Sequence, residues 1–236
     1  MTHDPNAALT ARRSHLAATR GPEEPLDSAF YDRPTARVAR ALLGCVLESR
    51  IEGHVTRGRI VEVEAYLGPH DPACHSAAGL TERNRQLHGP PGTVYVYRIY
   101  GLHWCVNAVT RRAGYGSAVL IRALAPIQGE DAMRRRRGNV SDRQLTNGPG
   151  KLCQALGISR IVDGLALDGP VLRILAGAGV AEADVLVTPR IGISLAADWP
   201  LRFCVAGEPN VSRAPPSIAR YRPAEAAAWL RARRLR

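Results

Sequence analysis

Lysine is almost absent from this 236-residue chain, and several signatures of metal or nucleotide chemistry are missing as well. Lys151 is the one lysine among 32 basic residues. Covalent amine chemistry would therefore depend on a single internal side chain. The chain has no glycine-rich P-loop, no H-E-x-x-H motif and no C-x-x-C pair, which argues against a phosphate-binding loop and the common zinc sites. We predict no cofactor.

Cysteines are few, and long apolar runs are missing. The five cysteines are scattered and odd in number, a pattern typical of reduced thiols rather than disulfides. No apolar run approaches the length of a membrane span, and the N-terminal stretch MTHDPNAALTARRSHL lacks the apolar segment of a secretory signal. We therefore expect a cytoplasmic, nucleoid-associated protein with no membrane partner.

Positive charge is the dominant compositional feature. The formal net charge is +11 and the pI is about 10.2. Such a field attracts polyanions, either nucleic acid or an anionic membrane surface. Because the sequence shows no amphipathic membrane helix, nucleic acid is the favoured partner.

The order of sequence patterns predicts a single α+β domain. Segment 1–24 is polar and aperiodic and is predicted to be a disordered basic arm. Segment 25–209 alternates short strands and a few helices, which predicts a largely antiparallel, curved β-sheet with a protruding hairpin and surrounding helices. Segment 210–236 is an arginine-rich extension that is predicted to be helical.

Two carboxylates and a tyrosine occupy alternate positions in the stretch IVEVEAYLG, residues 60–68. Residues two apart in a strand share one face, so Glu62, Glu64 and Tyr66 would lie together opposite a small apolar face. An edge strand with a solvated outer face explains this pattern as well as a catalytic face does.

A long loop after this strand contains HDPACH, residues 70–75, in which His70, Asp71, Cys74 and His75 are potential metal ligands. Their spacing matches none of the usual zinc motifs, and a metal site is not predicted. The loop exceeds twenty residues, a length at which loops are usually functional or disordered.

The segment TVYVYRIYGLHWCVNAV predicts an aromatic β-hairpin. Tyr95 and Trp104 are expected in the core, whereas Tyr100 lies beside a glycine at the predicted turn and should be exposed. An exposed aromatic on a basic protein can insert between bases and fill the gap left by an extruded nucleotide. The tetra-arginine run at 134–137 is interpreted as a solvated helix face that attracts phosphates diffusely.

Several of these motifs together resemble one known family. The stretches GRIVEVEAYLGPHDPACHS, TERNR, PPGTVYVYRIYGLHWCVN, VLIRALAPIQG, NGPGKLCQALGI and PRIGI resemble those of the alkyladenine (3-methyladenine) DNA glycosylases of the mammalian alkyl-purine type, which have bacterial members. The resemblance covers about residues 25–209. It implies a monofunctional enzyme that flips a damaged purine out of duplex DNA and hydrolyses its N-glycosidic bond.

The resemblance also implies roles for particular residues. Glu64 would be the general base that activates water, and Arg122 would help to hold that water and the sugar. Glu62, two residues away on the same face, is the rival base. We expect it instead to fix a neighbouring arginine or a backbone amide.

By the same resemblance, four residues would form the base pocket. Asn107 would reject the exocyclic amine of normal guanine, and three side chains would enclose the flipped base: Tyr66, His75 and Tyr97. Tyr100 would be the intercalating wedge, and Lys151 would approach a phosphate. The implied partner is double-stranded DNA that contains damaged purines, and the implied state is a monomer.

The hairpin departs from the resemblance at Arg98, Leu102 and His103, which affects expectations of substrate range rather than of chemistry. Two alternatives stay open at this point. The first is a non-catalytic nucleic-acid-binding module on the same fold. The second is a glycoside hydrolase that uses the Glu62 and Glu64 carboxyl groups as a pair.

Overall fold

The computed structural model describes residues 24–233, and within them eight strands form one antiparallel sheet. The strands are β1 (Val46–Ile51), β2 (His54–Tyr66), β3 (Val94–Ile99), β4 (His103–Thr110), β5 (Ser117–Gln128), β6 (Leu172–Leu175), β7 (Val185–Thr188) and β8 (Arg202–Val205). Their order across the sheet is β3-β4-β5-β2-β1-β6, and β8 pairs with both β2 and β7. The predicted α+β fold with an antiparallel sheet is confirmed.

Strand β2 lies in the interior of the sheet. Along one side it pairs with β5, and along the other its first half pairs with β1 and its second half with β8. Glu62 and Glu64 are both fully buried. The alternative of an edge strand with a solvated outer face is therefore wrong.

Helices cover one face of this sheet. They are α1 (Ser28–Tyr31), α2 (Thr35–Leu42), α3 (Glu130–Arg137), α4 (Pro149–Leu156) and α5 (Pro223–Ala232). Val38 and Leu42 of α2, together with Leu152 and Leu156 of α4, are fully buried in the main apolar core. Helix α4 begins with a proline at its first position and ends at Gly157 in the left-handed region, as helix propensities favour.

The arginine run on α3 is only partly solvated. Arg136 donates hydrogen bonds to the carbonyl oxygens of Ala155 (3.1 Å) and Ile51 (3.0 Å). Arg137 donates to Leu145 O (3.2 Å), whereas Arg135 is exposed. Two of the four arginines therefore join helices and strands to one another, and the solvated-face interpretation fails for them.

The C-terminal segment is attached to the sheet. Tyr221 and Val187 of β7 exchange two backbone hydrogen bonds of 2.8 and 3.0 Å, and α5 buries Ala226 and Leu230. The predicted N-terminal arm, 1–24, lies outside the described residues except for Glu24. No helix within residues 24–233 is long and apolar enough to span a membrane.

Candidate active site

The face of the sheet opposite the main core carries the predicted site residues. Strand pairing places one residue of each of four adjacent strands in a single row, in the order Tyr95, Asn107, Leu120, Glu64. Directly paired residues of antiparallel strands point to the same face. The strand register therefore brings Asn107 and Glu64 to one surface although 43 positions separate them in the chain.

The Glu64 carboxylate is held by three donors. Its Oε1 accepts the Ile191 backbone N–H (2.9 Å), and its Oε2 accepts the Tyr66 hydroxyl (2.9 Å) and Arg122 Nη1 (3.1 Å). The side chain has no exposed surface. Because a carboxylate has about four acceptor positions, these three bonds fix its orientation and leave room for one further donor.

Arg122 connects Glu64 to Glu62. Its Nε donates to Glu62 Oε1 (3.0 Å), and that oxygen also accepts Arg202 Nε (2.7 Å) and Ser212 Oγ (2.7 Å). The Ser212 backbone N–H donates to Glu62 Oε2 (2.7 Å). The prediction that Glu62 binds an arginine or a backbone amide is confirmed.

Nearby arginines explain how the buried Glu62 carboxylate stays ionised. Burial alone would raise the pKa of Glu62, but Arg202, Arg122 and the Ser212 hydrogen bonds outweigh it and lower that pKa below its usual value. Glu62, Glu64, Arg122 and Arg202 thus form one hydrogen-bonded network of two carboxyl groups and two guanidinium groups.

The strand pairing is irregular where this network lies. The register between β2 and β5 shifts between Ile60 and Glu62 and again between Glu62 and Val63. Bulges of this kind change the direction of a side chain and are frequent near active sites. Arg122 lies on β5 opposite the second shift, from where it contacts both carboxylates.

An aromatic recess opens beside Tyr66, whose hydroxyl binds Glu64. Glu64 and Arg122 do not themselves line it. The cavity volume of the recess is about 190 Å³, below the range of about 300–1,000 Å³ that is usual for pockets of drug-sized ligands. The four residues predicted to bind a base line it together: Tyr66, His75, Tyr97 and Asn107. The His75 and Tyr97 rings meet edge to face, with their centroids 4.5 Å apart.

The lining is uncharged near neutral pH. Burial, and then the nearby charge of Arg83, lower the pKa of His75, so its ring is neutral. Burial raises the pKa of Tyr97, and burial followed by the charge of Glu64 raises that of Tyr66. Neutral aromatic faces suit an electron-poor, flat ligand because stacking and cation–π attraction act together.

Tyr95 is a site residue that the sequence interpretation placed only in the core. It is buried, but its hydroxyl lies 2.8 Å from His75 Nδ1 and its ring lines the recess. Its carbonyl oxygen accepts a hydrogen bond from Asn107 Nδ2 (3.0 Å). Tyr95 thus fixes the orientation of two other pocket residues, and its alternation with Tyr97 on β3 was the available signal.

A buried ion pair supports the recess from behind. Arg190 forms two hydrogen bonds to Asp71, of 2.6 and 2.8 Å, and both side chains are fully buried. The Arg190 guanidinium lies 4.7 Å from the centroid of the Tyr66 ring. Asp71 had been considered as a metal ligand, and in the structure its partner is an arginine.

The predicted wedge lies at the tip of the β3–β4 hairpin. Tyr100 is 87% exposed and Leu102 is 76% exposed. Tyr100 and Gly101 have φ values of +50° and +67°, and the Leu102 N–H donates to Ile99 O (3.0 Å), as in a tight hairpin turn. Tyr100 does not line the recess, but its neighbour Ile99 does.

Lys151 lies apart from the recess, in the first turn of α4. Its Nζ donates to Asn147 Oδ1 (2.8 Å). Burial, and then the charge of Arg137, lower its pKa. The neighbouring Gly150 lies against His103 at the start of β4. Because His103 pairs with Ile99 next to the turn, the segment that carries Lys151 adjoins the hairpin close to its tip.

Among residues 24–233, no three histidine, cysteine or acidic side chains are arranged to hold a metal ion. Three of the four potential ligands in the HDPACH segment have other partners, and the fourth, His70, is exposed. Asp71 binds Arg190, His75 contacts Tyr95, and Cys74 Sγ lies 3.2 Å from Ser76 Oγ.

Comparison with known proteins identifies the family. The family model described as methylpurine-DNA glycosylase (MPG) matches residues 29–209, which include the whole network around Glu64 except Ser212. The chain belongs to the methylpurine-DNA glycosylase family. It is thus an enzyme of the DNA glycosylase class, as the sequence motifs predicted.

Relatives match this family member over most of their own lengths. A protein of Methanoculleus marisnigri is 53% identical over 192 residues, 80% of this chain and 98% of the relative. One of Rhodopseudomonas palustris is 52% identical over 188 residues, 80% of this chain and 90% of the relative. One of Carboxydothermus hydrogenoformans is 46% identical over 189 residues, 80% and 98% respectively. All three are provisionally named 3-methyladenine DNA glycosylase.

Proposed function

We propose that this glycosylase removes alkylated or deaminated purines from double-stranded DNA by hydrolysing the N-glycosidic bond with a water activated by Glu64. The class of substrates comprises 3-methyladenine, 7-methylguanine, hypoxanthine and ethenoadenine. One observation supports it above the others: the buried, arginine-bound carboxylate of Glu64 accepts the hydroxyl of Tyr66. Tyr66 lines an aromatic recess that reaches the hairpin on which Tyr100 is exposed.

A single carboxylate is sufficient for such substrates. Ordinary glycoside hydrolysis uses two carboxyl groups, one of which protonates the leaving group. A 3- or 7-alkylated purine already carries positive charge and departs as a neutral base. Glu64 then needs only to polarise water and stabilise positive charge on the sugar. Neutral lesions would still require a proton from solvent or from the pocket.

The second carboxylate is not available as an acid. Glu62 accepts four hydrogen bonds from Arg122, Arg202 and Ser212, and its pKa is lowered. A glycoside hydrolase that uses Glu62 as its proton donor would need the opposite shift. The geometry therefore favours the glycosylase over the paired-carboxylate alternative.

In this proposal the water occupies the remaining acceptor position of Glu64, at the boundary with the recess. The donors that adjoin that boundary are the Tyr66 hydroxyl and the Ile191 backbone N–H. Tyr66 and Gly192 both line the recess. A base that entered the recess would bring its sugar carbon towards this boundary.

The pocket residues would recognise the flipped base by stacking and by exclusion. Tyr66, His75 and Tyr97 would stack on or enclose the base. Asn107 would sit against the minor-groove edge of the base and reject the exocyclic amine of normal guanine. Its orientation is fixed because its amide nitrogen donates to Tyr95 O. Damaged bases pair and stack poorly, so their extrusion costs less than that of normal bases.

Contacts with the duplex would involve Tyr100 and Lys151. Tyr100 would enter the stack and fill the gap left by the flipped nucleotide. Lys151 would approach a phosphate. Because Lys151 does not line the recess, we propose that it forms no Schiff base and that strand cleavage does not follow base removal. We also propose that the enzyme acts as a monomer.

The test is base release from a panel of duplexes, each containing one lesion of the proposed class or the matching normal purine. We expect release of the free damaged base and an unbroken strand until alkali is added. Binding without release would favour the non-catalytic alternative. A covalent protein–DNA adduct trapped by borohydride would contradict the assignment as a monofunctional enzyme.

A further inference from the structure

The segment that follows the family match contributes a half-buried residue to the network around Glu64. The match ends at residue 209, and Ser212 lies three positions later. Its approach is fixed by Glu208, whose carboxylate binds Arg59 (3.1 Å), and by Pro209, whose carbonyl oxygen accepts Arg143 Nε (2.9 Å). The chain beyond it is held by the pairing of Tyr221 with Val187.

Ser212 contacts Glu62 with two donors and contacts Arg202 with its acceptor. Its N–H and Oγ each lie 2.7 Å from a different Glu62 oxygen, and its carbonyl oxygen accepts Arg202 Nη2 (3.1 Å). Glu62 has no exposed surface. Because hydrogen bonds to a buried charge are among the stronger ones in proteins, Ser212 fixes the rotation of the Glu62 carboxylate.

We propose that Ser212 is a positioning residue for excision, acting through Glu62 and Arg122 on Glu64. Glu62 Oε1 accepts both Ser212 Oγ and Arg122 Nε, and the same guanidinium donates through Nη1 to Glu64 Oε2. The guanidinium is planar and rigid, so a rotation of Glu62 moves Nη1 as well as Nε. This inference rests on the proposed function.

The consequence for the reaction is geometric rather than chemical. Without Ser212 Oγ, Glu62 Oε1 is held only by the two arginines, while Oε2 still accepts the Ser212 backbone N–H. The carboxylate can then pivot about Oε2 and move Oε1 towards Arg202. Arg122 then follows Glu62 and its bond to Glu64 lengthens. A displacement of about 1 Å at a reacting group can lower a rate about 100-fold, whereas binding of DNA at the surface is unaffected.

The experiment uses the full chain with Ser212→Ala, Ser212→Thr and, as a matched control, Ser217→Ala, which alters an exposed serine of the same segment. Single-turnover excision, lesion-duplex affinity and thermal unfolding are measured for each. We expect Ser212→Ala to slow excision by about 10- to 100-fold with an affinity within about twofold of the wild type. Ser212→Thr retains the hydroxyl and should recover most of the rate.

Three results would each overturn the inference. The first is an excision rate for Ser212→Ala equal to that for Ser217→Ala, and the second is a Ser212→Thr variant as slow as Ser212→Ala. The third is a fraction of unfolded Ser212→Ala protein at the assay temperature that accounts for its lower rate. The excision rate of the wild type distinguishes a failure of this inference from a failure of the proposed function. If the wild type releases no damaged base, the proposed function fails. If it does and Ser212→Ala matches the control, only this inference fails.

Discussion

Asp71 and Arg190 illustrate how a buried charge can serve a neighbouring aromatic ring. Besides its two bonds to Arg190, Asp71 accepts the backbone N–H groups of Leu67 (3.0 Å) and Ala73 (3.1 Å). Arg190 also donates to Ala65 O (3.0 Å). The pair therefore joins the end of β2 to the loop that carries His75 and places a cation against Tyr66.

Replacing Asp71 by asparagine should destabilise the fold strongly. The variant keeps the shape but leaves the Arg190 charge buried without a counter-ion, a change that typically costs about 3–5 kcal/mol. The measurement is the free energy of unfolding in denaturant. Glu82→Gln is the control, because the Glu82–Arg85 pair is exposed and such pairs contribute about 0–1 kcal/mol. Equal losses in the two variants would contradict the assigned role of the buried pair.

Among individual residues, the sequence predicted the site residues that alternate along a strand and missed those that belong to no such pattern. Alternation placed Glu62, Glu64 and Tyr66 on one face, as the structure has them. Arg190 and Ser212 reach the site from distant segments of the chain, and no local pattern marks them. Only the tertiary pairing of β7, β8 and the C-terminal segment with β2 brings them there.

The β3–β4 hairpin is the element that the proposal assigns to DNA contact. Tyr100 adopts a positive φ that a side chain other than glycine rarely takes. Its ring is nevertheless exposed and has no described role in the core. Local strain of this kind is typical of functional positions, which supports a contact outside the protein.

Replacing Tyr100 by alanine should weaken lesion binding without altering stability. Loss of one base–aromatic stack costs about 1–3 kcal/mol, which corresponds to an affinity lower by about 5- to 150-fold. The exposed position should leave the free energy of unfolding within about 0.5 kcal/mol of the wild type. Duplex titrations and denaturant unfolding measure the two effects.

Leu165→Ala is the matched control for the hairpin. Leu165 is an exposed apolar residue whose carbonyl oxygen accepts the Val94 N–H at the opposite end of β3. We expect its affinity for the lesion duplex to equal that of the wild type. If Tyr100→Ala binds as tightly as Leu165→Ala, the wedge assignment is wrong.

Whether a segment forms a helix, a strand or a hairpin could be predicted from the sequence more easily than where that segment lies in the sheet. The hairpin and the strand that carries Glu64 were predicted from turn residues and from alternation. Whether that strand lay at an edge was left open, because the same pattern of alternate polar residues suits a solvated edge and an interior strand with a polar network. Burial of both carboxylates against Arg122, in a strand that is paired on both sides, decides the question.

Over the whole molecule, the net charge of +11 does not correspond to a uniformly basic surface. Three arginines surround the buried Glu48 carboxylate: Arg50, Arg57 and Arg173. Burial would raise the pKa of Glu48, but these arginines outweigh it and lower that pKa to about 2. Composition predicted an attraction to polyanions, but it could not show which arginines are used inside the fold.

The C-terminal segment shows that sequence similarity also underestimates the extent of the domain. Sequence similarity marks residues 29–209 as the family unit, whereas hydrogen bonds extend the network around Glu64 to Ser212. A boundary drawn from motifs therefore omits a residue that the structure places beside the carboxylates.

The central claim is that Glu64 activates the water that releases the damaged base, and Glu64→Gln tests it most directly. The measurement is single-turnover excision from a 3-methyladenine-class duplex alongside its equilibrium affinity, with the exposed Glu82→Gln as control. We predict an affinity close to that of the wild type and a rate lower by at least about 100-fold, the usual scale for a positioned general base. A rate close to that of the wild type or of Glu82→Gln would contradict the account.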